Sequence, residues 1–217
     1  MMLVVKNDRN NLAKAQDALA TSGFEREDVT LGELLRHEIA QARRRSRHAP
    51  NCRRLPAARG PPVTEARSVC SRAQGLHVCG SGDAVALADP SAAIALLWLR
   101  RSLAFSLAFF RQLHAGMARL LRGEQQDVDT VEAFKSAYGD ELQPYHKWLL
   151  RQTFHLTISQ APSYTELAYA AGPGLGDAER DQVLHEEIEA LLRAGEPLVK
   201  ALADAFEELE LEDVRRA

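Results

Sequence analysis

The sequence predicts an all-α chain. Apolar residues recur at helical spacing, and caps and breakers punctuate those runs. No run alternates β-branched and polar residues, and no hairpin turn pair separates two such runs. The 217 residues are 46% apolar and 26% charged with a formal net charge of −3, the profile of one globular domain able to bury a core.

Three regions differ in character. Residues 1–42 read as helical: LAKAQDALATSGF is rich in helix formers, and VTLGELLRHEIAQA places Leu31, Leu34, Leu35 and Ile39 on one face. Asp28 and Thr30 are the candidate N-caps of that second helix.

Residues 43–89 change abruptly to clustered arginine with repeated Pro and Gly, and no apolar period persists. This insertion is expected to lack regular structure. Its arginines have no aromatic neighbours to stack bases, so nucleic acid is not an expected partner. Cys52, Cys70 and Cys79 are an odd count confined to this segment, which argues against a disulfide framework and for a reducing cytosol. With His48 and His77 they form no CxxC pair, so no metal is expected there.

Residues 90–217 are helix after helix. Pro90 and Ser91 open IALLWLRRSLAFSLAFF, Ile94 to Phe110, which is apolar nearly all round but interrupted by Arg100 and Arg101. No stretch reaches about 18 unbroken apolar residues, so a buried helix is expected rather than a transmembrane one. A short amphipathic piece follows over Asp127–Tyr138, and Pro144 is expected to start a helix through YHKWLLRQTFHLTISQ. Ser163 and Glu166 form a capping box for another helix, ended by GPGLG. Asp177 caps an acidic helix to about Ala194, and Pro197 is expected in the first turn of a last one.

Several of these segments resemble the glycolipid transfer protein family. LLWLRRSLAF (96–105) is similar to the family's signature helix, and PYHKWLLRQTF (144–154) to its Tyr-His-x-Trp segment. APSY (161–164) also matches, especially the lipid-transfer domain of the four-phosphate adaptor proteins. VVKNDRNNLAK (4–14) and TLGELLRHE (30–38) resemble two earlier helices. The matches keep the family's order and cover about 1–41 and 90–214, leaving the arginine-rich insertion unmatched.

The resemblance implies a two-layer helical sandwich that binds one glycosphingolipid and carries it between membranes without chemical conversion. By the same resemblance the chain is N-terminally truncated, lacking a first helix and part of a second. The wall around Phe105, Phe109 and Phe154 is then expected to face water in part. Trp98 would stack its indole on the first sugar, because the C–H face of a sugar packs on an aromatic ring. His146 would hydrogen-bond the ceramide carbonyl, and Asn11 and Lys14 would hold sugar hydroxyls. The acid that accepts the ceramide N–H falls at Asn7, with Asp8 beside it, so either could serve. Ile94, Phe105, Phe109, Leu142 and Phe154 match hydrocarbon-pocket positions, and Trp148 matches a membrane-facing one.

The branch that carries ceramide-1-phosphate has arginine in place of the signature tryptophan and another one turn earlier. Trp98 and Ile94 occupy those places here, which favours a sugar head group. The implied protein is a non-enzymatic, cytoplasmic monomer with transient membrane contact and no cofactor. A non-transferring lipid sensor or adaptor, a degenerate relative, and a ceramide-1-phosphate carrier are the other readings.

Overall fold

The computed structural model describes residues 2–24, 29–48, 77–78, 85–86, 91–125 and 127–212. Their helices are α1 (Met2–Thr21), α2 (Leu31–His48), α3 (Ala92–Leu121), α4 (Thr130–Glu141), α5 (Trp148–Ile158), α6 (Tyr164–Ala171) and α7 (Asp177–Glu208). One two-residue antiparallel ladder, β1 (His77–Val78) with β2 (Val85–Ala86), lies in the segment expected to lack regular structure. Such a short ladder leaves no alternation for a sequence pattern to show. The rest of the described chain is helix and turn, as the periodicity predicts. The cysteines at 52, 70 and 79, and the candidate cap Asp28, lie outside the described residues.

The chain forms two compact units, one built on Trp98–Asp204 with Met1–Asp8, the other on Arg9–Leu97 with Ala205–Asp213. In the second unit Thr30 caps α2. Its backbone N–H donates to Glu33 Oε2 at 2.8 Å while Glu33 N–H donates to its hydroxyl at 3.3 Å, a reciprocal capping box. Leu34, Leu35 and Ile39 are buried along the predicted face, and Leu31 is half-buried. Glu38 on α2 accepts from the N–H groups of Ala92 and Ala93 at 2.8 and 3.0 Å, placing a carboxylate at the positive end of α3. The helix α2 continues through the arginine run to His48 because arginine is itself a good helix former.

The first unit is organised by α3. This helix is 30 residues long and apolar enough to cross a membrane by length and composition, yet over half of its most apolar window is buried within the protein. Phe105, Phe109, Leu113 and Met117 join Ala137 and Tyr138 of α4, Ile158 of α5, Tyr164 and Ala168 of α6, and Leu184 and Ile188 of α7 in one core cluster. At its C-terminus α3 closes with Gly123 at φ +72°, as Glu124 N–H donates back to Arg119 O at 3.0 Å. A Cβ on Gly116 would meet Val128 Cγ1 at 2.8 Å, so only glycine lets the following loop cross the helix that closely.

Three helix boundaries differ from expectation. The short piece begins at Thr130, capped by Asp129 accepting from Glu132 N–H. Pro144 sits in a 3-10 turn, Gln143–Tyr145, and α5 starts only at Trp148, because His146 and Lys147 are both extended. Pro197 is interior to α7, which runs unbroken for 32 residues instead of ending near Ala194. An interior proline removes one helical hydrogen bond and costs about 3 kcal/mol. Here packing holds the helix through that turn: Gly195 lies against Leu107, where a Cβ would come within 2.7 Å, and Glu196 accepts from Arg111 at 3.0 Å. The Ser163–Glu166 capping box forms as read.

Leu113 is 0% exposed at the centre of the cluster. Leu113→Ala is expected to cost about 2–5 kcal/mol, and Ser163→Ala only about 1 kcal/mol, in urea denaturation with unchanged m values. Equal losses would contradict the placement of the core.

Candidate functional site

In the first unit the aromatic and polar groups of α3, α4 and the turn before α5 converge. His146 is the hinge of the cluster. Its backbone is extended at φ −96°, ψ 134°, so it stands between two helices rather than on one. The carbonyl it would leave unpaired accepts from Arg151 Nε at 2.8 Å. The imidazole is buried, its Nδ1 lies 3.1 Å from the Tyr138 hydroxyl, and its ring stacks on Trp98 at 6.0 Å and 26°.

Arg101, the second residue of the expected interruption of α3, is only 4% exposed. Its guanidinium lies 3.6 Å from the centroid of the Tyr145 ring and 5.1 Å from that of Trp98. Two aromatic faces thus offset the cost of desolvating a cation inside a largely apolar helix. Trp98 itself is half-buried, so part of the indole meets solvent.

Asp8 completes the cluster from α1. Its Oδ2 accepts from Ser102 Oγ at 3.0 Å, while Oδ1 is buried with no hydrogen-bond partner. Burial raises the carboxyl pKa, partly countered by the Ser102 bond. Asn7 is exposed, so of the two adjacent candidates Asp8 is the one turned inward. Asn11 and Lys14 belong to the other unit: Asn11 is buried with its side-chain N–H donor unsatisfied, and Lys14 is half-buried.

Of the candidate hydrocarbon positions, Phe105, Phe109 and Leu142 are buried and Phe154 is half-buried. The expectation that this wall faces water in part fails at Phe105 and Phe109 and holds at Phe154. Phe134 and Tyr138 of α4 cover it: Phe105 meets Phe134 edge-on at 5.0 Å, and Tyr138 stacks on Phe154 at 4.1 Å and 8°. Ile94 is half-buried in the other unit. A groove of about 900 Å³ opens beside Arg101 and Tyr145, and its lining includes Arg100, Arg111, Arg193 and Lys200 as well as Glu141 and Glu196, so it is charged rather than apolar. The outer face of α5 carries Trp148, Leu149 and Leu156, 72%, 70% and 74% exposed, within about 100° of arc.

The sequence pattern of the family described as Glycolipid transfer protein matches residues 74–172. Those residues resemble the glycolipid transfer protein family. The match begins inside the segment that the motif resemblance left uncovered, and it contains Trp98, Arg101, Tyr138, His146 and Phe154. Proteins of this family are lipid transfer proteins and not enzymes. Pleckstrin homology domain-containing family A member 8 of Danio rerio is 32% identical over 131 residues, covering 59% of this chain and 22% of that protein. The Homo sapiens protein of the same name is 34% identical over 97 residues, covering 45% of this chain and 17% of it. The chain therefore spans about a fifth of these relatives. A solved structure presented as showing how FAPP2 selects simple glycosphingolipids using the GLTP-fold is 28% identical, with a TM-score of 0.49 over 58% of this chain and 57% of that one.

Sequence reasoning missed Tyr138, Arg101 and Ser102. The signal for Arg101 and Ser102 was the polar trio Arg100–Ser102 inside an apolar helix; Tyr138, on α4, had none of that kind.

His146 is kept neutral: burial first, then Arg151 and Arg101, push its pKa below the ordinary histidine value. An unfolded histidine takes its proton near pH ~6.5. The folded one does so only at lower pH, so the unfolded state binds more protons in that window. Stability is therefore full above the unfolded pKa and falls as pH drops through it. Denaturation at about pH 7.5 and 5.5 should show a larger loss in wild type than in His146→Gln; equal losses would contradict the assignment.

Proposed function

We propose that the chain binds one glycosphingolipid at the Trp98–His146–Asp8 cluster and moves it between membranes without chemical conversion. The observation that carries the reading is a part-exposed indole placed beside a buried neutral imidazole and a buried carboxylate oxygen that lacks a donor. That set matches a ceramide amide joined to a sugar. Asp8 Oδ1 accepts the amide N–H. With Tyr138 donating to Nδ1, His146 Nε2–H is left to donate to the amide carbonyl. The exposed part of Trp98 packs on the apolar face of the sugar.

Among the described residues the phenylalanine wall is closed by ring-to-ring contacts, and the acyl chains need it opened. They enter by parting Phe105, Phe109, Phe134 and Phe154, whose edge-on contacts exchange for contacts with methylene groups at little net cost. Trp148, Leu149 and Leu156 form the membrane contact, an apolar strip with an indole at the level of the head groups. The protein so described works in the cytoplasm, as a monomer peripheral to membranes.

Vesicle-to-vesicle transfer of fluorescent galactosylceramide, beside ceramide-1-phosphate, tests this. Wild type should transfer the glycolipid selectively. Trp98→Ala should slow transfer by roughly tenfold, the loss of one well-packed aromatic contact. A Trp148→Ala, Leu156→Ser double variant should fold normally and bind vesicles roughly tenfold or more weakly. Preferred transfer of ceramide-1-phosphate would move the reading to the phosphate branch. No transfer of either lipid by folded protein would leave a non-transferring sensor.

A further inference from the structure

Among the described residues, His114, His185 and Glu189 bring three ligand atoms within 4.8 Å of one another. His114 comes from α3; His185 and Glu189 stand one turn apart on α7, on the same face. The two imidazoles stack at 4.1 Å and 27°. His114 Nε2 is buried and makes no hydrogen bond. Stacked histidines beside a carboxylate are poorly explained as core packing, since the unpaired ring nitrogen is desolvated without return. The aromatic cluster around Trp98 and His146 uses none of the three.

We propose that His114, His185 and Glu189 form a site for one divalent transition-metal ion of the zinc class, which ties α3 to α7. The donor set argues for that class. Two imidazoles and one carboxylate suit zinc, nickel or copper, whereas calcium and magnesium demand a shell of oxygens. A tetrahedral ion with bonds of about 2 Å spaces its ligand atoms about 3.3 Å apart, so the stacked rings turn to aim their in-plane lone pairs at the ion as it binds. Solvent reaches Glu189 and supplies the fourth ligand. Glu189 now accepts from Arg193 at 2.7 Å, an exposed helical pair weak enough to yield to an ion.

Zinc titration of the metal-stripped full chain, by calorimetry and with cobalt as a spectroscopic probe, decides the matter. The expected result is one zinc per chain and a cobalt spectrum without a thiolate charge-transfer band. Binding should persist when Cys52, Cys70 and Cys79 are changed to serine. It should weaken by at least about tenfold in both His185→Gln and Glu189→Gln, each retaining wild-type helicity. Zinc should also raise the melting temperature of wild type and not of these two variants. No saturable binding, undiminished binding in both variants, or loss of binding in the serine variant would overturn the proposal.

Discussion

The structure depends on covering α3. Thirty residues of helix, apolar on almost every side, cannot be left to water, and the cost of exposing even a few of its phenylalanines rivals the stability of a domain. Phe105 to Met117 are enclosed by α4, α5, α6 and α7 in one cluster. Leu96 and Leu97 are buried in the other unit. Arg101 is the exception that such a helix must accommodate, and it is accommodated by the faces of Tyr145 and Trp98. The aromatic groups that make a buried arginine tolerable are the ones that build the candidate site.

That site is polar chemistry held short of satisfaction. Asp8 has one oxygen paired with Ser102 and the other with nothing, and burial, then Arg151 and Arg101, lower the pKa of His146, which has one nitrogen near Tyr138. Desolvated groups of this kind destabilise the unliganded fold and are restored when a ligand supplies the missing partner. The aromatic plug of Phe105, Phe134 and Phe154 has the complementary property, being apolar, contiguous and divisible without breaking a hydrogen bond. An amide flanked by hydrocarbon fits both at once.

Local features were legible in the sequence. The boxes at Thr30–Glu33 and Ser163–Glu166 are spelled within four residues, and the helical period of Leu34, Leu35 and Ile39 needs no partner to be read. Trp98 and His146 were named through motifs, and the structure brings their rings together. What the sequence concealed was set by packing. Pro197 has the same spelling whether it opens a helix or is held inside one, and only Leu107 against Gly195 and Arg111 on Glu196 distinguish the cases. Burial of the phenylalanine wall depends on Phe134 and Tyr138 arriving from α4. The choice of Asp8 over Asn7 depends on Ser102, far along the chain. His185 and Glu189 are a visible helical pair, but His114 is contributed by another helix.

The central claim is that the Trp98–His146–Asp8 cluster holds a single glycosphingolipid. Native mass spectrometry of the chain recovered from mixed vesicles of galactosylceramide, ceramide-1-phosphate and phosphatidylcholine tests it most directly. The account predicts one galactosylceramide per chain, present in wild type and absent from folded Asp8→Ala and Trp98→Ala. An empty chain, or one carrying the three lipids without preference, would contradict it.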